Sequence, residues 1–301
     1  MKISIIVPIY NMQNFIRQSI TCLKSQDIND VEYLLINDGS TDDTLSNIEA
    51  LCSGDTRFKI FTKKNRGYGH TCNFGISHAT GDYIGIFEPD DSITDDFYPC
   101  LLQHAERYRQ ADVIKYNGIY KNEQGTIKKL FRWNRKYTGV ILEKHDMKRF
   151  WRSHPAIFNG IYRRSFIQQK SVYFCETAGA SFQDAMFYVS LYYANPSIYI
   201  INDTKYIYTI HEQQSIHFAD SKIEDIIKMW RMEWQWIEEN GFIDKNFLLY
   251  QVFKQLMSLK NAVSHDNFLK LRDEFRKMKD GNAIIKSDIP TWKQKIQYAL
   301  A

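Results

Sequence analysis

Tyr33-Leu34-Leu35-Ile36-Asn37-Asp38-Gly39-Ser40-Thr41-Asp42-Asp43 is an apolar run that breaks into a polar turn and then into helix-start residues. The run has the length of a buried strand. Gly39 permits a turn, and Ser40, Thr41 and the two acids suit a helix N-terminus. The same pattern repeats on either side. Ile3–Pro8 runs out at Tyr10 and Asn11, Phe58–Thr62 leads to Asn65 and the glycines after it, and Tyr83–Phe87 ends in Glu88-Pro89-Asp90-Asp91. Between these runs the spacing predicts helices over Asn14–Ser25, Asp42–Cys52 and Gly69–His78. Strands alternating with helices give an α/β fold with a mostly parallel sheet covered on both faces. Such a sheet binds its ligands at the carboxyl ends of its strands. Those ends carry the unusual polar residues here.

Further along, Asp95–Asp203 is mixed in pattern, and Pro155 and Gly160 suggest a broken helix-and-loop region. Gly179-Ala180-Ser181 opens a predicted helix through Tyr193. After about Ser221 the chain turns helical and amphipathic, with Ile226, Ile227, Trp230, Trp234 and Ile237 as its apolar stripe. Helices are also predicted over Lys245–Val263, Asn267–Lys279 and Pro290–Leu300. Two parts are therefore expected: residues 1–220 as the sheet-bearing domain and 221–301 as a helical region. The length of 301 residues accommodates both.

The bulk properties exclude some classes. A formal net charge of +4 is too small to imply a nucleic-acid partner. The five cysteines are scattered and form no CxxC pair, which suits buried thiols in a reducing compartment. The opening apolar run stops at Pro8, short of a signal segment or a membrane span. A cytoplasmic protein is expected, with peripheral contact at the inner face of the membrane as a further expectation. The aromatic fraction of 15% serves a core or lines a sugar site.

Five segments invite chemistry, each with two readings. Asp38 to Asp43 is a turn with a helix cap, or the rim of a ligand site. Glu88-Pro89-Asp90-Asp91 is a solvated turn, or a set of hard oxygen ligands for Mg²⁺ or Mn²⁺ held jointly with phosphates; three carboxylates in four residues repel one another unless something satisfies them. Asn65 to Gly75 places glycines before a helix, where backbone N–H groups approach phosphate or sugar, yet matches no Walker or dinucleotide loop. Ser181-Phe182-Gln183-Asp184 is a capping box, or the seat of a base, since Phe187, Tyr188 and Leu191 put Asp184 on the apolar side of its helix. Tyr208 to His217 is a surface loop, or a loop closing over phosphates with His211 as donor or metal ligand; its spacing does not match structural zinc.

In this order the segments resemble the family 2 glycosyltransferases, inverting enzymes of the GT-A fold. Ile6-Val7-Pro8-Ile9-Tyr10-Asn11 is similar to that family's first strand and loop, and Asn37-Asp38-Gly39-Ser40-Thr41-Asp42 to its second signature. Asn65, Gly67, Asn73 and Gly75 sit as in its third, and Gly81-Asp82-Tyr83-Ile84 leads into its acidic motif. The match is strong over about Ile3–Asp96 and patchy to about Ser215. The resemblance implies a hexosyl transfer from a nucleotide-sugar donor, UDP-linked, to a glycan or lipid-linked acceptor in bacterial surface polysaccharide synthesis. It implies Mn²⁺ or Mg²⁺ as cofactor. Pro8, Tyr10, Asp38, Gly67, His70, Asn73, Glu88 and Asp90 would contact the donor. Asp91 would be the principal metal ligand, with Asp90 and His211, and Asp184 the general base, with Glu176 as its rival. Two departures stand out: Glu88-Pro89 opens the acidic motif where the family has Asp-x, and Gln183 precedes the base where relatives carry an acid. Two other readings compete with transfer. A nucleotidyltransferase would show a Gly-rich basic loop after the first strand, where Tyr10-Asn11-Met12-Gln13 stands; a non-catalytic sugar-binding relative would tolerate the altered acidic motif. The tail from Pro290 to Leu300 is a docked terminal helix, or an interfacial segment flanked by Lys286, Lys293 and Lys295.

Overall fold

A computed structural model describes residues 1–122, 124–131, 137–142, 156–177, 182–212, 215–243 and 245–278. Its centre is one sheet. Strands β1 (Ile3–Ile9), β2 (Val31–Asn37), β3 (Phe58–Thr62) and β4 (Tyr83–Ile86) are joined through helices α1 (Ile16–Lys24), α2 (Thr44–Cys52) and α3 (Tyr68–His78). β1 pairs in parallel with both β2 and β4, and β2 with β3. Every residue of β1 and β2 is buried. That explains their unbroken apolar runs: both faces are covered, so neither needs a polar side.

The second half of the sheet departs from the sequence reading. After the short β5 (Ser92–Ile93) and helix α4 (Phe97–Arg107) come β6 (Val113–Asn122), β7 (Ile127–Phe131), β8 (Ile141–Leu142), β9 (Gly160–Arg163) and β10 (Ile198–Ile210). The path across the sheet is β3-β2-β1-β4-β9-β6-β10-β5. β9 runs antiparallel to both β4 and β6, whereas β6 and β10 are parallel. The expected helix-and-loop region around Gly160 is thus a central strand. A Cβ at Gly160 would lie 2.2 Å from the carbonyl oxygen of Ile114, so the residue that looked like a breaker permits close strand packing. Pro155 lies outside the described residues.

Helices α5 (Arg164–Gln169), α6 (Asp184–Ala194), α7 (Ile223–Glu239), α8 (Asn246–Leu259) and α9 (His265–Lys277) follow, with a short 3₁₀ turn over Ser215–Lys222. Their apolar faces join the same buried core as the sheet, which runs from Ile3 to Phe275 without a break. The stripe of α7 is rotated from expectation. Ile223, Ile226, Ile227, Met229, Trp230, Glu233 and Ile237 are its buried residues. Trp234 is only half-buried, and the Lys245 ammonium lies 4.5 Å from its ring centre. No helix among the described residues is long and apolar enough to cross a membrane. The predicted tail helix over Pro290–Leu300 lies outside the described residues.

Candidate active site

The carboxyl ends of β1 and β2 carry two loops locked to each other. The Asn11 N–H donates to Ser40 Oγ at 3.0 Å, and Asn11 Oδ1 accepts from the Thr41 N–H at 2.8 Å. Asn11 makes these bonds with φ of 53°, a turn that asparagine tolerates. Ser40 and Thr41 therefore fasten the loops and do not cap α2; it is Asp42 Oδ1 that accepts the Thr44 N–H at 3.0 Å. Pro8 is buried within β1, while Tyr10, at 44% exposure, stands free at the strand's end.

Asp38 is only 3% exposed. Its carboxylate accepts the Arg66 N–H at 3.0 Å and the Gly67 N–H at 2.9 Å, and pairs with the Lys63 ammonium. This joins the end of β2 to the start of α3. Gly67 has φ of 88°, which only glycine holds without strain. His70, one turn into α3, is half-buried, and its Nδ1 has no partner among the described residues. Burial and the nearby Lys63 and Arg66 charges hold its imidazole below the ordinary value.

Asn73 does different work from that expected of a donor contact. Its side chain donates to the Phe174 carbonyl and to Glu176 Oε1, both at 2.9 Å, and accepts from the Phe174 N–H at 2.9 Å. It pins the segment before α6 against α3. At the same seam, a Cβ on Gly69 would lie 1.9 Å from the Cys175 carbonyl oxygen, and Gln183 Oε1 accepts the Gly69 N–H. Gln183, where relatives were expected to show an acid, is thus a buried clamp. It also donates to Thr177 Oγ1 at 2.9 Å.

The acids after β4 divide into three environments. Glu88 accepts the Tyr68 hydroxyl at 2.6 Å; burial, then the Asp90 and Asp184 charges against that bond, push its carboxyl up to about 8. Asp91 is 2% exposed, and each of its oxygens already has a donor: the Tyr206 hydroxyl at 2.5 Å and the Thr209 N–H at 2.9 Å, both from β10. Burial and Asp90 hold it well above the usual carboxylate range. Asp90 is half-buried and faces His211, whose Nε2 lies 2.9 Å from Asp90 Oδ2. The ring of His211 packs on Phe15 at 4.8 Å, and its buried Nδ1 has no partner among the described residues. Asp91, expected as the principal ligand, thus takes its bonds from β10, and Asp90, expected beside it, faces His211.

Among the described residues no three His, Cys, Asp or Glu side chains converge as a closed metal cage. What the site offers is open: one carboxylate, one imidazole and the neighbouring Glu88. That set fits a hard divalent ion that keeps positions for phosphate oxygens, and the imidazole suits Mn²⁺ better than Mg²⁺.

Asp184 comes from a separate element. It is the first residue of α6, with Gln183 before it and no side-chain cap, so the helix begins later than a cap at Ser181 requires; Ser181 itself lies outside the described residues. The carboxyl of Asp184 is half-buried among protein groups, and that burial lifts it to about 6 against the pull of its own and the Ala185 backbone N–H. Its charge adds to the burial that raises Glu88, Tyr68 and Cys72, although 96 residues separate it from Glu88 in sequence (184 − 88). Glu176, the rival, is tied to Asn73 and lies 3.7 Å from the Arg66 guanidinium at an exposed position.

Sequence reasoning missed Tyr68, Tyr206 and Thr209. Tyrosines in strands and helices read as core, and only their acid partners mark them out. His217 has no described side chain.

The glycosyl transferase family 2 model matches residues 4–175. The uncharacterized glycosyltransferase EpsJ of Bacillus subtilis (strain 168) is 27% identical over 214 residues, covering 68% of this chain and 60% of that protein, so the chain spans less than two thirds of this relative's length. The GalNAc(5)-diNAcBac-PP-undecaprenol beta-1,3-glucosyltransferase of Campylobacter jejuni is 27% identical over 226 residues, covering 73% of this chain and 69% of that protein. Among solved structures, S. aureus TarS 1-349 in complex with UDP-GlcNAc aligns over 99% of this chain and 79% of that one, with TM-score 0.64 and 19% identity. The mannosyltransferase PcManGT from Pyrobaculum calidifontis, in complex with GDP-Man and Mn²⁺, aligns over 99% and 86% with TM-score 0.55 and 13% identity. At such identities the structures speak for the fold alone, and they bear out the GT-A architecture.

Proposed function

The chain belongs to glycosyl transferase family 2, and from that premise we propose that it is a metal-dependent, inverting glycosyltransferase that moves a sugar from a nucleoside diphosphate donor to a hydroxyl group. One observation carries the reading. The acids after β4 meet groups from remote elements at one edge of the sheet: Asp90 faces His211 at 2.9 Å, Asp91 takes bonds from Tyr206 and Thr209, and Glu88 accepts the Tyr68 hydroxyl. A leaving diphosphate and an attacking hydroxyl need opposite services; the acids and His211 suit the first, and Asp184 suits the second.

Asp184 is the base. Its raised proton affinity keeps it ionised near neutrality yet able to accept a proton, the compromise general bases require. It takes the proton of the acceptor hydroxyl. The oxygen attacks the anomeric carbon, the bond from that carbon to the diphosphate oxygen breaks, and the nucleoside diphosphate leaves with the electron pair. A single displacement inverts the configuration. Asp90 and His211, with Glu88 beside them, would hold Mn²⁺, which when bound neutralises the departing diphosphate. Asp91 orients the acidic turn from below. Asp38, Pro8 and Tyr10 border the base of the nucleotide, with Asp38 reading a uracil-type ring, and Gly67 and His70 line the phosphate side.

The UDP donor is supported by TarS, solved with UDP-GlcNAc. The Campylobacter relative, named for an undecaprenol diphosphate-linked acceptor, supports a lipid-linked glycan acceptor and a place in surface polysaccharide assembly at the inner face of the membrane. Residues 1–220 form the catalytic domain in this reading, with helices α7, α8 and α9 as the helical region that follows it. The test is a panel of nucleotide sugars with Mn²⁺, read first by thermal shift and then by product anomer. One UDP-sugar is expected to raise the melting temperature and to yield the inverted glycoside. A product of retained configuration, or protection by no nucleotide sugar, would overturn it.

A further inference from the structure

In the buried part of β6 a lysine stands where a central strand normally carries an apolar side chain. Lys115 pairs with Gly160 of β9 on one side and Ile200 of β10 on the other, and it is 1% exposed. Burial pulls its ammonium down to about 7, and no acid offsets this among the described residues. Such a group is costly to bury unless hydrogen bonds hold it. Two do so. Lys115 Nζ donates to the Ala156 carbonyl and, at 3.2 Å, to Asn159 Oδ1. Gly160 leaves room for its stem, since a Cβ there would lie 2.8 Å from Lys115 Cγ.

These bonds fasten residues 156–159 to the sheet. Asn159 Nδ2 donates to the Tyr116 carbonyl at 2.5 Å, the Asn159 carbonyl accepts the Tyr116 N–H at 2.8 Å, and the Tyr162 hydroxyl donates to the Ile157 carbonyl at 2.7 Å. Phe158, within this segment, is set against β10. Its ring stacks on that of Tyr206, with centres 4.6 Å apart and planes at 26°, and lies 5.4 Å from the ring of Tyr208. Tyr206 in turn donates its hydroxyl to Asp91 at 2.5 Å. Direct contacts therefore connect Lys115 to the acidic turn.

The backbone alone holds this part of β10 poorly. β6 advances from Lys115 to Gly118 while β10 advances from Ile200 to Tyr206, with register shifts on both sides of Thr204. Irregularities of this kind re-aim side chains beside functional sites. They also interrupt the ladder that fixes register, and a slip of one residue turns every side chain to the opposite face. Past the shifts, β10 brings Tyr206 and Thr209 to Asp91 and leads to His211, 2.9 Å from Asp90.

We propose that Lys115 is a positioning residue: through residues 156–159 it holds Phe158 against Tyr206, and so fixes the register of β10 that brings Tyr206 to Asp91 and His211 to Asp90. The effect on metal use rests on reading Asp90 and His211 as the metal-holding pair; the seating of Tyr206 does not.

Two readouts on the full chain test this. The first uses metal-free protein labelled with ¹³Cζ-tyrosine, the Tyr206 resonance being assigned by its loss in Tyr206→Phe. Lys115→Met and Phe158→Leu should each move that resonance, because the hydroxyl no longer sits squarely on Asp91. The second is the Mn²⁺ concentration for half-maximal turnover. Each variant should raise it by about 2- to 30-fold, the range for coupling carried through packed side chains. Since Lys115 acts through Phe158, the double variant should be no worse than Phe158→Leu alone, whereas independent structural losses would multiply. Should Lys115→Met not fold, Phe158→Leu carries both measurements. Multiplied effects, or a Tyr206 resonance unmoved by the substitutions, would overturn the proposal. If the resonance moves and the Mn²⁺ response does not, Asp90→Asn decides. A response that Asp90→Asn abolishes overturns the proposal; a response that it keeps removes the metal assignment instead and leaves the seating of Tyr206 standing.

Discussion

The two halves of the sheet handle charge in opposite ways. β1, β2 and β4 are parallel and buried on both faces, and they deliver Asp38, Glu88, Asp90 and Asp91 to one edge by the local rule that chains turn polar where such strands end. The second half delivers few charges of its own. It supplies what holds the first half's charges in place: Tyr206 and Thr209 on Asp91, and His211 on Asp90. Asp91 and Asp90 are adjacent in sequence, yet Tyr206 and Thr209 of β10 bond to Asp91 while His211, just past that strand, faces Asp90.

The largest expected break in this comparison is at Asp184. Asp184→Asn should lower turnover by about 10²–10⁴-fold, the usual range for losing a general base, while calorimetric donor affinity stays near that of the parent. A collapse of donor binding together with the melting temperature would make Asp184 a helix-start residue and nothing more.

Asp90 and Asp91 sharpen it. Asp90→Asn should abolish the response of turnover to added Mn²⁺ without lowering the melting temperature. Asp91→Asn should do the reverse in emphasis, leaving a metal response but costing about 1–3 kcal/mol of stability in denaturant unfolding as its bonds to β10 are disturbed. If Asp91→Asn is the variant that loses the metal response at unchanged stability, the division of labour proposed for the two acids is wrong.

The seam between the halves is next. Gly69→Ala places a methyl group against the Cys175 carbonyl, which backbone cannot easily vacate, and should cost about 1–3 kcal/mol. Thermal unfolding would show it, and turnover should fall alongside because Gln183 and Asp184 move with the segment.

The smallest effect is a slope. Glu88, Asp91, Asp184 and Glu233 all sit above their unfolded values, so the folded state binds protons more tightly than the unfolded chain. Their contribution to stability is complete below the unfolded carboxylate range and is lost as pH rises through the folded values. The melting temperature of the metal-free protein should therefore decline from about pH 5 to about pH 7. His70, held low, opposes this weakly at the acid end. Glu88→Gln should flatten the decline, and a flat or rising curve in the parent would contradict these environments.

The sequence by itself determined the parallel half. Runs such as Ile3–Pro8 and Tyr33–Asn37 can only be strands covered on both faces, and the polar residues after them must then share an edge. It also singled out Asp184, because an acid on an apolar helix face is conspicuous. It did not reveal β6, β9 and β10, whose lysines, asparagines and tyrosines alternate too irregularly to show a period, or the inward turn of Glu233 in place of Trp234. Nor did it separate Asp90 from Asp91, or show that Asn73 is spent on Phe174 and Glu176. Those outcomes depend on which groups the chain brings together from far apart. Local pattern fixes where a side chain starts, but a carboxylate's partners, burial and proton affinity are set by atoms dozens of residues away, and only the tertiary structure decides them.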